Sequence, residues 1–140
     1  MHYSLRKNFL GYGKRIYYRI SKYFLVQREN HTPKCYNYDR VWKRILVESG
    51  IKARQQVLLC GFVNYDDTPR RGKKGKVITG GTPEKFEKYF TKLYRLSNRF
   101  HKKILFLMAW NEWGEGSYLE PDTMDGYEYL MKIKKIIGNK

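Results

Sequence analysis

The sequence predicts an α/β chain built on parallel strands, and three observations predict it. Two nearly unbroken apolar runs, Val57–Val63 and Ile104–Trp110, have the length and composition of strands buried on both faces of a parallel sheet. The segment between them, "TPEKFEKYFTKLYRLSNRF", repeats its apolar residues at the helical period. A further helical pattern, "DGYEYLMKIKKIIG", follows the second run. Strands alternating with helices in this way imply parallel pairing with right-handed crossovers.

The elements follow in order. The first thirty residues are basic and aromatic, with Ile16, Ile20, Tyr23 and Phe24 at helical spacing and Arg15, Arg19 and Lys22 between them. Such a segment is an ordinary helix packed on a domain, or a peripheral contact with an anionic membrane surface through residues 5–25. Residues 38–48 form the next helix, with Val41, Trp42, Ile45 and Leu46 inward, Asn37 or Asp39 as its N-cap, and Gly50 in the left-handed position that ends it. The first strand then runs into Asn64–Gly81, which carries "DDTPRRGKKGKVITGG". A loop of that length in a compact domain is functional or disordered. Thr82 caps the central helix, Pro83 suits its first position and Glu84 complements its dipole. Its buried stripe is Phe86, Tyr89, Phe90, Leu93, Leu96 and Phe100. The last helix turns Tyr127, Leu130, Ile133 and Ile137 inward. Two strands are too few to be covered on both faces. Either the N-terminal third hides another strand or the chain is the end of a larger α/β domain, and the second is the expectation.

At 140 residues the chain holds one domain at most. Twenty-nine Lys plus Arg against thirteen Asp plus Glu give a formal net charge of +16. That balance attracts polyanions (nucleic acid, anionic lipid or phosphorylated substrates), and a solvated basic surface accounts for it equally well. Cys35 and Cys60 form no metal or redox motif, so neither a metal nor a cofactor is expected, and a reduced, cytoplasmic setting fits. The longest apolar run is far below the roughly 20 residues that span a bilayer. Arg6, Lys7, Lys14, Arg15 and Arg19 interrupt every early apolar stretch, so no signal peptide is expected.

In parallel α/β folds, sites form beyond the C-terminal ends of the strands. "NEWGEGSYLEPD" follows the second strand there, and Asp66, Asp67, Arg70 and Arg71 follow the first. Neighbouring strands would bring both loops to one crevice. Glu112 and Glu115 stand three apart, with Gly114 and Gly116 allowing tight turns. Paired carboxylates serve as acid and base in glycoside chemistry. Trp110, Trp113 and Tyr118 offer flat faces for sugar rings, and Asn111 a hydrogen bond to a sugar hydroxyl. Other readings stay open: Glu120 and Asp122 suit a helix start, Trp110 and Trp113 suit a core, and two such glutamates are commonplace on a solvated loop.

"AWNEWGEGSYLEPD" followed by "GYEYL" resembles the C-terminal signature of the WbsX-like family. Its members are described as glycosyltransferases of bacterial surface-polysaccharide synthesis and share the glycoside hydrolase family 99-like domain. "YDDTPRRGKKG" and "GGTPEKFEKYF" resemble the segments preceding that signature, and the resemblance covers roughly residues 36–137. It implies the C-terminal part of a (β/α)8 barrel, with "VLLCGFV" as the seventh strand and "ILFLMAW" as the eighth. Residues 1–35 then stand apart as a basic aromatic segment, and 36–140 form the C-terminal part of the family domain. By similarity to the family 99 hydrolases, endo-acting on α-mannosides, Glu112 is the base that engages the sugar 2-hydroxyl. Glu115 is then the general acid at the glycosidic oxygen, on a retaining course through a 1,2-anhydro sugar. Trp110, Asn111, Trp113, Tyr118, Glu120, Asp66, Asp67 and Arg70 would line the substrate site. Two departures stand out. Gly114 replaces a histidine of the hydrolase motif, and Asp66-Asp67-Thr68-Pro69-Arg70 replaces the usual Asp-Asn-Thr-Pro-Arg.

A (β/α)8 barrel needs about 200 residues or more. The expectation is therefore a fragment, inactive alone, which the missing N-terminal part of the barrel would complete. Its substrate would be a saccharide, with a nucleotide-sugar or lipid-linked donor. Arg70, Arg71 and the "GKKGK" lysines would meet a donor diphosphate, or simply form a solvated loop. The alternatives are an endo-acting glycoside hydrolase and a basic nucleic-acid-binding module. The latter rests on "GKRIYYRISKYF", without any signature of a known nucleic-acid fold.

Overall fold

A computed structural model describes residues 32–138. The predicted N-terminal helix through Ile16, Ile20, Tyr23 and Phe24 lies outside the described residues. The described part is mixed α/β, with three two-stranded sheets and no closed barrel.

Strand β1 (Lys34–Asn37) leads directly into helix α1 (Tyr38–Lys52). The Asn37 side chain accepts from the Arg40 amide at 3.1 Å, closing the N-terminus as predicted. Gly50 does not end the helix: α1 continues to Lys52, and its C-cap Ala53 stays right-handed. Strand β2 (Leu59–Phe62) comes next. The stretch read as one long loop is instead ordered into a one-turn helix α2 (Thr68–Arg71), a 3-10 turn (Gly72–Lys74) and strand β3 (Lys76–Thr79). Strand β3 pairs in parallel with β1, Lys34 opposite Lys76 and Asn37 opposite Thr79. The extra strand thus lies at Lys34–Asn37, and its partner is inside the supposed loop.

Helix α3 (Pro83–Arg99) matches its prediction closely. Thr82 Oγ1 accepts from the Lys85 amide at 3.3 Å, and Phe86, Tyr89, Phe90 and Leu93 are buried. Strand β4 (Leu105–Met108) then pairs in parallel with β2, Leu59 opposite Leu105 and Phe62 opposite Met108. A Cβ at Gly61 would lie 2.8 Å from Trp42 and 3.2 Å from Leu93, so this face of the sheet meets α1 and α3 at van der Waals contact. Side chains alternate along a strand, and Phe106, on the other face from Leu107, is 37% exposed. The expectation that Ile104–Trp110 is buried on both faces fails: Ile104, Phe106 and Trp110 are exposed, although Phe62, on the same sheet face as Phe106, is buried.

Helix α4 (Glu128–Gly138) packs on α3. Tyr129 and Ile136 are buried, whereas Tyr127 and Ile137 are exposed, so the predicted inward face is rotated. Tyr129 fixes the rotation, with its ring 5.4 Å from Phe86 edge-on and its hydroxyl accepting from Asn64 Nδ2 at 2.9 Å. Glu87 adds ion pairs to Lys132 at 3.1 Å and Lys135 at 2.6 Å. The core is aromatic: Trp42 lies between Phe62 and Tyr89, stacked on both at 5.2 and 5.9 Å.

Candidate active site

Strands β2 and β4 are adjacent and parallel, so the segments that follow them leave from the same edge. The Val63 amide donates to the Met108 carbonyl at 3.0 Å, extending the ladder to that edge. Buried Ser117 donates from its hydroxyl to the same carbonyl at 3.2 Å.

After β2, two neighbouring aspartates take different roles. Asp66 Oδ1 accepts from the Thr68 amide at 2.8 Å and the Thr68 hydroxyl at 2.6 Å, which shapes the start of α2. Asp67 is 1% exposed. It accepts from the Lys76 amide, from the Tyr65 hydroxyl at 3.2 Å, and pairs with Arg71 Nε at 3.2 Å. Its carboxylate thereby ties the start of α2 to β3.

After β4, the acidic motif folds as a small hairpin. Strands β5 (Asn111–Glu112) and β6 (Ser117–Tyr118) pair antiparallel, joined by a 3-10 turn at Trp113–Glu115. Gly116 closes that turn at φ +53°, in the left-handed region, while Gly114 has open space around it. A Cβ at Gly116 would also sit 3.2–3.4 Å from backbone and Cβ atoms of Asp66. Only the second of the two glycines is required by the turn.

The two segments meet at Glu115. Its carbonyl accepts from the Asp66 amide at 2.7 Å. Its carboxylate, on a residue 7% exposed, pairs with the Arg70 guanidinium. The carboxylate raises the pKa of Arg70 further above its already high value. Lys76, half-buried nearby, has its ammonium pKa lowered by burial, partly offset by the carboxylates of Asp67 and Glu115.

Beside this pair lies an aromatic platform. Trp113 stacks on Tyr118 with centroids 3.8 Å apart and planes 16° from parallel. Glu120 accepts from the indole Nε1 at 2.6 Å, and Asp122 accepts from the Tyr118 hydroxyl at 2.8 Å. Burial, with the Asp122 bond, pushes the Tyr118 phenol up to about 12. The Asp125 amide, then the Tyr118 hydroxyl, hold Asp122 below the usual carboxylate range. Trp113 remains 48% exposed and Trp110 55%, so neither is a core residue. A flat exposed ring held by a hydrogen bond at its polar edge, as Trp113 is, suits stacking against an amphipathic partner.

Of the residues singled out in the sequence, the fold brings together Arg70, Glu115, the Asp66 backbone, Trp113, Tyr118 and Glu120. Asn111 and Glu112 are exposed on β5, where their side chains are open to solvent. Trp110 contributes its carbonyl, which accepts from the Leu119 and Glu120 amides at 2.9 and 3.1 Å. Asp67 turns into the loop interior. Thr68 and Ser117 join the site without having been singled out in the sequence. The Asp66-x-Thr68 spacing, a turn pattern in its own right, was the signal available for Thr68. Among the described residues no three of His, Cys, Asp and Glu come close enough to share a metal ion. No described helix is long and apolar enough to cross a membrane.

The family profile described as Glycosyltransferase WbsX matches residues 6–133. The chain belongs to the WbsX glycosyltransferase family. The match reaches further toward the N-terminus than the motifs alone. The WbsX-family chain is also similar to an uncharacterized protein WxcX of Xanthomonas campestris pv. campestris strain B100, 36% identical over 69 residues. WxcX of strain ATCC 33913 matches to the same extent. Each alignment covers 47% of this chain and 10% of the relative, so the chain spans about a tenth of the length of the relatives it matches. No solved structure matches it.

Proposed function

We propose that this chain is the C-terminal part of a sugar-transferring domain of bacterial surface-polysaccharide synthesis, with its substrate site at the C-terminal edge of β2 and β4. One observation carries the reading. The segments after two adjacent parallel strands converge on a single carboxylate, Glu115, next to an exposed aromatic platform. This is where parallel α/β folds place their chemistry.

In this reading β2 and β4 are the seventh and eighth strands of a (β/α)8 barrel. The exposed face carrying Phe106 is the surface that the rest of the barrel covers. Residues 36–140 belong to that domain, after a basic segment at 1–35 suited to peripheral contact with the inner membrane from the cytoplasmic side.

The outer face of Trp113, backed by Tyr118, stacks on a sugar ring, and Glu120 fixes the indole. Exposed Glu112 takes the proton of a sugar hydroxyl as that oxygen bonds to the anomeric carbon. The bond from that carbon to the leaving oxygen breaks, and that oxygen takes a proton from Glu115, which gains it from solvent once Arg70 has moved. Arg70 occupies Glu115 Oε1 in the free protein, so Glu115 acts there only after the guanidinium has moved. The donor is a nucleotide sugar or a lipid-linked sugar.

Titration of the 140-residue chain with mannose- and glucose-containing oligosaccharides, followed by tryptophan fluorescence, tests the site. Binding that Trp113→Ala abolishes and Lys103→Ala leaves intact supports it. Binding indifferent to Trp113, or no binding at millimolar oligosaccharide, removes it.

A further inference from the structure

The segment Arg70–Lys76 carries five cations in seven residues: Arg70, Arg71, Lys73, Lys74 and Lys76. Two carboxylates face it, and each is held by one arginine, Glu115 by Arg70 and Asp67 by Arg71. Among the described residues neither Lys73 nor Lys74 pairs with a carboxylate, and both are exposed. The Thr68–Arg71 turn packs directly on the Trp113–Glu115 turn, so this charge borders the aromatic platform.

The Arg70–Glu115 pair is lopsided. The Glu115 side chain is only 10% exposed, whereas that of Arg70 is 54% exposed. Solvent, and any anion in it, reaches the guanidinium more readily than the carboxylate. A guanidinium binds phosphate oxygens in the same two-pronged geometry it uses for carboxylates. Lys73 and Lys74 add charge beside it without a competing acid.

We propose that Arg70 is a latch shared between Glu115 and the phosphate of an incoming glycosyl diphosphate. With the site empty, Arg70 holds Glu115. When the diphosphate arrives at Arg70, Lys73 and Lys74, the guanidinium passes to the phosphate and Glu115 Oε1 becomes available to substrate. The carboxylate is thus engaged in proton transfer only when the donor is in place. This deepens the sugar-transfer reading and rests on it for the donor's sugar, but the latch is tested on phosphate alone.

The thermodynamic signature is competition. If Glu115 and phosphate compete for one guanidinium, removing the carboxylate's charge strengthens phosphate binding mainly through Arg70, beyond the small gain from relieved repulsion. The experiment is calorimetric titration of the 140-residue chain with inorganic pyrophosphate at fixed ionic strength. Glu115→Gln is expected to tighten pyrophosphate about tenfold, a difference of about 1.4 kcal/mol. Arg70→Ala is expected to weaken it about tenfold or more, and in that background Glu115→Gln is expected to give a clearly smaller gain, the part due to relieved repulsion alone. Arg70→Lys keeps the charge without the two-pronged geometry, and recovers binding only in part. Lys103→Ala is the control that leaves all values in place.

No pyrophosphate binding, affinity unchanged in Glu115→Gln, or an equal gain from that change with and without Arg70 would each overturn the latch. Circular dichroism of every variant separates loss of binding from loss of fold. Uridine diphosphate and farnesyl diphosphate, titrated alongside, identify the source. Tighter binding of the first marks a nucleotide donor and of the second a lipid-linked donor, and both support the latch when Arg70→Ala abolishes the binding. Oligosaccharide binding that survives while pyrophosphate fails sinks the latch alone. Pyrophosphate binding through Arg70 without any oligosaccharide binding sinks the sugar-transfer reading and leaves an anion site.

Discussion

Gly114 and Gly116 stand two residues apart in one turn, and the structure assigns them opposite tolerances. Gly116 adopts φ +53°, and a Cβ there would approach Asp66 backbone atoms at 3.2–3.4 Å. The left-handed conformation alone costs an L-residue about 1–2 kcal/mol. The contact with Asp66 adds to it, because the nearest atoms are largely backbone and cannot swing away. Gly116→Ala should therefore destabilise by about 2 kcal/mol. For a chain of this size that lowers Tm by about 8 °C, at about 4 °C per kcal/mol. Gly114 has nothing within 4 Å of its Cβ position and no positive φ, so Gly114→Ala should stay within about 0.5 kcal/mol of wild type. Gly116→Asn should fall between the two, since asparagine visits the left-handed region most readily among residues with a Cβ. The assay is thermal unfolding followed by circular dichroism, with urea unfolding as the independent measure of stability. Equal effects of the two alanine variants would refute the turn geometry and the close approach of the two segments.

Three further outcomes follow from individual contacts. Asp67→Ala strips buried acceptors from the Lys76 amide and the Tyr65 hydroxyl and should cost about 2 kcal/mol or more in urea unfolding; a neutral result would return Asp67 to the substrate crevice. Asp122 is held below its ordinary value of 3.8, so its bonds stabilise the fold above about pH 4 and fade as pH falls through the lower folded-state value. The stability gap between wild type and Asp122→Asn should be constant from pH 5 to 8 and shrink below pH 4, and a gap that grows on acidification would contradict this. Burial pushes the Cys60 thiol up to about 11, whereas Cys35 is exposed; at pH 8 a thiol reagent should label Cys35 first, as peptide mapping by mass spectrometry would show.

Legibility in the sequence followed how local the cause was. Thr82, Pro83 and Glu84 announced helix α3 because a cap satisfies amides a few residues away, and that chemistry is written in adjacent letters. The parallel neighbours β2 and β4 were legible as apolar runs. The β1–β3 pair was not: "KCYN" and "KVIT" are four residues each, too short and mixed to show a period, and they join across the whole of α1 and β2. The rotation of α4 was ambiguous because Tyr127, Leu130, Ile133 and Ile137 satisfy helical spacing as well as the true face does; Phe86 and Asn64, far away in sequence, choose between them. Exposure of Phe106 likewise depends on which neighbours cover β4, which its own letters do not state.

The same holds within the site. The acidic hairpin and its aromatic neighbours stood out by composition. Which of two consecutive aspartates turns inward did not, because Asp67 faces the interior only once Lys76 and Tyr65 are in place. The pairing of Arg70 with Glu115 joins residues from two loops and depends on the strands beneath them being adjacent. Gly114 and Gly116 look equivalent in sequence, and only the hairpin closed by Asn111 and Tyr118 distinguishes them.

The carboxylates of this hairpin are proposed to act on a sugar bond. The most direct test of that proposal is turnover of a full-length WbsX-family enzyme carrying the glutamine substitution at the position matching Glu112. A fall in kcat of about a hundredfold or more is expected, the usual scale of general acid–base catalysis, with oligosaccharide binding retained. Normal turnover in that variant would contradict it.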